Sequence, residues 1–158
     1  CFYELTPLFM SNIGPLADAL IASIPEEQLA EVESFVAVEA RGFVLASLLA
    51  QRLNKGLLLV RKAGKLPPPV VGVGYSLEYG VDRLEIAANI QPQKVIIVDD
   101  VLATGGTLKA VKQLMDKCHH HVLGASIFLD LPTLHKDLGF KVWTVLEESS
   151  KPVEAAVA

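Results

Sequence analysis

Apolar residues along this chain follow two different rhythms. Leu16, Ala17, Leu20, Ile21 and Ile24 recur at helical spacing, which predicts a helix starting at Ser11 or Asn12. Pro25, followed by Glu26 and Glu27, predicts a break or a short second helix through Glu33. The run SFVAV, residues 34–38, reads as a buried strand, and EARG after it reads as a loop. FVLASLLAQRL, residues 43–53, has the length and apolar density of a packed helix, which Asn54-Lys55-Gly56 stops. LLLV, residues 57–60, is a second short buried strand. Residues 1–8, CFYELTPL, are expected to form an extended lead-in.

Residues 61–80 interrupt the alternation with three prolines and four glycines. They predict a long excursion or flap over about residues 61–86, with DRLEI as the second arm of a hairpin. The core then resumes. KVIIV reads as a strand, DDVLATGGT as a loop, and residues 108–117 as a helix with Leu108, Val111, Leu114 and Met115 on one side. VLGASIFLD and KVWTVL read as the last two strands. Strand, helix and strand in succession require a crossover between parallel neighbours. The expected fold is therefore α/β, a mostly parallel central sheet flanked by helices, in a single domain over residues 1–158.

Composition narrows the function. The chain has 158 residues, 51% of them hydrophobic and 20% charged, with a net charge of −4. An acidic balance argues against a general nucleic-acid binder, so any anionic ligand must be met by local basic clusters. Apolar runs are too short to span a bilayer, so no membrane partner is expected. Cys1 and Cys118 make neither a disulfide framework nor a CxxC pair, which suits a reduced, cytoplasmic setting.

The chemistry concentrates in VIIVDDVLATGGT. Ala103, Thr104, Gly105, Gly106 and Thr107 lie between a strand end and a helix start. Glycines there let backbone N–H groups turn inward, and a new helix adds unpaired N–H groups, which together cradle phosphate. A plain tight turn with Thr107 as helix N-cap is the bland alternative. Asp99 and Asp100 need donors or a cation. A sugar diol with its own phosphate a few ångströms away satisfies both ends, as in a ribose 5-phosphate. Arg41 follows one predicted parallel strand, and Arg61, Lys62 and Lys65 follow another, so these cations share the carboxyl edge of the sheet with the aspartates. A diol, a monophosphate and a larger anion together describe 5-phosphoribosyl-1-diphosphate (PRPP).

On these residues the segment VIIVDDVLATGGT resembles the PRPP signature of type I phosphoribosyltransferases. VEARGF, VRKAGKLP and YSLEYG are similar to segments of the adenine phosphoribosyltransferase family. The resemblance implies a type I phosphoribosyltransferase-like fold with a flexible flap or hood. It implies that Asp99 and Asp100 hold the ribose hydroxyls and that residues 103–107 hold the 5-phosphate. Arg41, Lys62, Lys65 and Tyr79 would meet the diphosphate, and Glu78 would be the catalytic group over the reaction centre. Phe2, Tyr3, Leu5 and Val101 would line the base pocket. It also implies Mg2+ carried mainly by the PRPP diphosphate, no metal site built by the protein alone, PRPP and adenine as substrates, and a homodimer. Relative to the family pattern, Tyr3 stands where arginine is common and an N-terminal segment is expected to be missing.

Three functions stay open on the sequence. One is an adenine phosphoribosyltransferase of purine salvage, and the second uses hypoxanthine, guanine or xanthine. The third is a non-catalytic sensor of PRPP or nucleotides, against which Glu78 and the basic cluster argue. His119, His120 and His121 read as structural or solvated rather than ligating. Trp143 reads as core, and Glu39 either orients Arg41 or is a surface acid.

Overall fold

A computed structural model of the chain describes residues 4–77 and 79–148. Three short helices, α1 (Thr6–Ser11), α2 (Ile13–Ser23) and α3 (Glu26–Glu31), precede the first strand, β1 (Ser34–Val38). Helix α4 (Arg41–Leu53) crosses to β2 (Gly56–Lys62), and a hairpin of β3 (Val70–Ser76) and β4 (Val81–Ala87) follows. Strand β5 (Lys94–Leu102), helix α5 (Gly106–Lys117), β6 (His121–Asp130) and β7 (Val142–Glu147) complete the order.

The seven strands form one sheet in the order β3-β4-β2-β1-β5-β6-β7. From β2 to β7 every pairing is parallel, and the hairpin adds two antiparallel strands beside β2. All five residues of β1 are buried, as a strand covered on both faces must be. Alternation divides the core. Val36, Val38, Val60 and Ile97 meet Leu108, Val111 and Leu114 of α5 on one face. Phe35, Ala37, Ile96 and Val98 meet Leu20 of α2 with Leu45 and Leu49 of α4 on the other. Helix α4 buries Gly42, Leu45, Ala46, Leu49 and Ala50, the stripe expected of a helix lying on a sheet. Asn54, in the left-handed region at φ 53°, ends it.

Several sequence expectations need correction. Residues 6–8 of the expected extended lead-in are helical, as the start of α1. Pro7 in the first turn needs no hydrogen bond there, and Leu8 and Phe9 gain a core to pack on. EARG is not all loop, because α4 starts at Arg41. Asp99 and Asp100 are not in a loop either. Strand β5 runs on to Leu102, since its ladder with β6 continues past the apolar run through Asp99–Ile127 and Leu102–Asp130. Thr107 is not the N-cap of α5. Gly105 caps it at φ 84°, a conformation open to glycine and costly to other residues.

The histidine run is structural in part. His120 is buried and its Nδ1 accepts the Gln93 N–H at 3.1 Å, while burial lowers its pKa. Trp143 packs on the second core, its ring against Gly124, where no Cβ would fit.

Candidate active site

The carboxyl ends of β1, β2, β5 and β6 lie along one edge of the sheet, the edge where open α/β sheets bind ligands. A recess of about 100 Å³ opens there, lined by Asp99, Val101, Leu102, Ala103, Thr104, Gly105, Gly106 and Thr107, with Leu108 and Ile127 behind them. One acid thus shares a small cavity with the glycine-threonine loop and the N-terminus of α5. The helix start leaves backbone N–H groups without intrahelical partners, so the recess suits an anion at its loop end.

Asp99 is half-buried at the recess, and its Oδ1 accepts the backbone N–H of Asp100 at 2.9 Å. Burial, and after it the negative charge of Asp100, push the Asp99 carboxyl well above the usual carboxylate range. Asp100 does not line the recess. It is buried, and its Oδ2 lies 2.6 Å from Arg41 Nε as an ion pair without the alignment of a hydrogen bond. Arg41 opens α4, and its side chain is about half exposed (47%).

The second basic cluster is already engaged. Glu39, at the end of β1, accepts the Lys62 N–H at 3.1 Å and meets Arg61 Nε at 3.4 Å. That backbone bond, ahead of Arg61, holds the Glu39 carboxyl below its ordinary pKa. Glu39 therefore serves Arg61 and β2. Lys62 Nζ lies 3.2 Å from Asp82 Oδ2 on β4, a partner that raises the lysine pKa. Lys65 is exposed, and its carbonyl receives Arg61 Nη1 at 3.4 Å. Tyr79 is almost fully exposed. Tyr75 is the half-buried tyrosine of this hairpin, with its hydroxyl 3.5 Å from Asp82 and within reach of Thr107. Leu5 is buried in the second core and does not line the recess, whereas Val101 does. Phe2, Tyr3 and Glu78 lie outside the described residues.

The sequence reading passed over Asp82, Tyr75 and the Asp130–His135 pair. Asp130 ends a parallel strand at the same edge, the very signal that singled out Asp99.

Residues 4–157 match the family model described as the phosphoribosyl transferase domain, and the chain belongs to that family. Its relatives within the family are narrower in kind. The adenine phosphoribosyltransferase of Mycolicibacterium smegmatis is 46% identical over 140 residues, covering 84% of this chain and 74% of the relative. The crystal structure of adenine phosphoribosyltransferase from Rhodothermus marinus aligns with a TM-score of 0.84 at 35% identity, over 93% of this chain and 86% of that one. The Saccharomyces cerevisiae enzyme, solved with an imino-altritol bisphosphate and adenine, aligns with a TM-score of 0.83 at 34% identity, over 92% and 86%.

Proposed function

We propose that this chain transfers the 5-phosphoribosyl group of PRPP to adenine, giving AMP and diphosphate in purine salvage. The observation that carries this reading is the recess with Asp99 at one end and the loop of residues 103–107 at the other. A carboxylate beside a glycine-threonine loop suits a ribose hydroxyl and its 5-phosphate, and the adenine phosphoribosyltransferases named above suggest the base.

In this mechanism Asp99 and Asp100 serve the ribose hydroxyls, Asp99 directly and Asp100 beside Arg41. Residues 103–107 hold the 5-phosphate with backbone N–H groups and threonine hydroxyls. The C1–O bond to diphosphate breaks as the adenine nitrogen bonds to C1. Positive charge develops on the sugar and negative charge on the departing diphosphate, where Arg41, Lys62 and Lys65 act. Glu78, with Tyr79 beside it, takes the proton that the base nitrogen gives up. The hairpin within residues 61–86 is the flap that excludes water during transfer.

Among the described residues no group of three ligating side chains could by itself hold a metal ion. Mg2+ accepts one or two carboxylates with substrate oxygens and waters, and Asp99, the acid that lines the recess, would supply one such oxygen beside those of PRPP. When bound on PRPP, it supplies positive charge to the leaving group. A homodimer in the cytoplasm completes the reading. Val44, Leu57 and Leu59 present partly exposed apolar side chains on α4 and β2 (37–39%), a surface a second copy would cover. Among the described residues no helix is long and apolar enough to cross a membrane.

Incubation with PRPP, Mg2+ and each purine base in turn tests the proposal. AMP and diphosphate from adenine alone are expected. Product from hypoxanthine, guanine or xanthine in preference would reassign the base, and no product from any base would leave the sensor reading.

A further inference from the structure

We propose that Leu138 is a positioning residue for the loop of residues 103–107, and that the Asp130–His135 pair holds the segment that delivers it. The inference rests on the reading of that loop as the 5-phosphate cradle.

The loop is fixed at both ends, by Leu102 at the end of β5 and by the first turn of α5, where Lys109 N–H donates to the Gly105 carbonyl at 2.9 Å. Its middle has no ladder of its own. Gly105 takes φ 84°, and a Cβ built there would stand 2.6 Å from Leu138 Cδ2. Leu138 therefore occupies the volume that a side chain at position 105 would need. The same absence of Cβ that permits the left-handed turn also admits a methyl group from outside the loop. Leu138 in turn packs on the core cluster beneath α5, so it is braced from behind. Leu138 makes the closest packing contact at this position, with Leu102 Cδ1 of β5 farther off at 3.8 Å.

The segment that carries Leu138 is itself tied down. Leu131 N–H donates to the Leu102 carbonyl at 2.9 Å, which sets the start of the segment on the end of β5. His135 Nε2 lies 2.7 Å from Asp130 Oδ1, and its Nδ1 lies 2.9 Å from the Lys136 carbonyl. Both ring nitrogens face oxygen atoms, an arrangement the doubly protonated imidazole satisfies. The pair is largely enclosed, with side chains 13% and 11% exposed, so it is a defined tether rather than a solvated contact. Burial opposes protonation of His135, and its bonds to Lys136 and Asp130 outweigh that and raise its pKa, with Lys109 as the opposing nearby charge. None of these groups reaches the recess, so their effect passes through Gly105.

The test separates ground-state positioning from fold stability. PRPP affinity is measured by calorimetry, steady-state constants with adenine, and Tm by calorimetry, for Leu138→Ala, Leu138→Met, His135→Gln and Thr104→Val. Leu138→Ala should weaken PRPP binding about tenfold through misplacement of the loop, with kcat and the KM for adenine within about twofold. Leu138→Met should restore PRPP affinity, and His135→Gln should weaken it in the same direction. Unchanged PRPP affinity in Leu138→Ala, with weakened affinity in Thr104→Val, overturns the role of Leu138 and leaves the cradle standing. Unchanged affinity in both overturns the cradle and with it this inference. Parallel loss of kcat, both KM values and Tm, without rescue by methionine, reduces Leu138 to a structural residue and overturns the inference.

Discussion

Replacing Gly42 with alanine should separate stability from activity. Gly42 is the second residue of α4, and it lies against the end of β5. A Cβ there would stand 2.9 Å from the Val98 carbonyl oxygen and 3.4 Å from Asp99 Oδ1. The first contact is with backbone, so no side-chain rotation relieves it. Opening it from 2.9 Å to ordinary contact at 3.4 Å moves the start of α4 away from β5. Overpacking of this kind costs about 1–3 kcal/mol. Alanine in place of a helical glycine returns up to roughly 1 kcal/mol. The net is a loss of about 1 kcal/mol, which for a domain of this size lowers Tm by about 2–4 °C.

The same displacement acts on chemistry more strongly. Arg41 precedes Gly42, and its Nε stands 2.6 Å from Asp100. A shift of half an ångström at Gly42 carries Arg41 with it. A misplacement near 1 Å can cost about a hundredfold in rate, so a loss of about tenfold in kcat/KM for PRPP is expected here. Calorimetric Tm and steady-state formation of AMP measure the two effects on one preparation. Gly14→Ala, whose new Cβ would meet only the movable end of Arg52, is the control and should keep full turnover. Turnover of Gly42→Ala within twofold of the parent would refute the close-approach reasoning. So would a fall in Tm beyond about 10 °C, because the damage would then be global.

Asp99→Asn should raise Tm at pH 8 more than at pH 4 while weakening PRPP binding. A carboxyl with a raised folded pKa stabilises the fold most below its unfolded pKa and loses that contribution as pH rises through the folded value. A gain in Tm that does not change with pH would contradict the shift. Glu78→Gln should lose most turnover in single-turnover assays while PRPP affinity by calorimetry stays near normal, and near-normal turnover would remove Glu78 from the reaction. Leu59→Lys should shift the sedimentation profile from dimer to monomer, because it puts a charge on the apolar face of β2, and an unchanged profile would move the interface elsewhere.

The sheet was legible where burial and backbone pairing end together. Strand β1 is apolar from Phe35 to Val38 and buried throughout, and α4 and α5 repeat their apolar residues at helical spacing. Legibility failed where pairing outlasts burial. Asp99 and Asp100 are polar, yet they remain in β5 because β6 continues beside them. It failed again where a short apolar set reads either way, as in α1, whose Leu8 and Phe9 are helical because α2 and the sheet wait beneath them. In the site, residue types were readable and partners were not. Glu39 could have served Arg41 or solvent by sequence spacing, and the register of β1 against β2 gives it to Arg61 and Lys62 instead. Asp82 meets Lys62 only because β4 folds back antiparallel on β2.

The two most informative dipeptides of the chain answer each other across the start of α4. Asp99-Asp100 ends β5, and Arg41-Gly42 begins the helix that lies on it. Arg41 compensates Asp100, a buried carboxylate that would be costly to leave without a cation. Gly42 leaves room for Asp99, whose Oδ1 occupies the space beside the missing side chain. Charge is matched at one position and volume at the next. In the proposed mechanism the two acids reach the sugar from different settings, Asp99 from within the recess and Asp100 braced by the arginine that faces diphosphate. Exchanging the order to Gly-Arg would put a long side chain against the Val98 carbonyl and leave Asp100 without its counter-charge. The order of residues at the helix start is thus set by the acids at the strand end, although Asp99 lies 57 positions after Gly42 in the sequence.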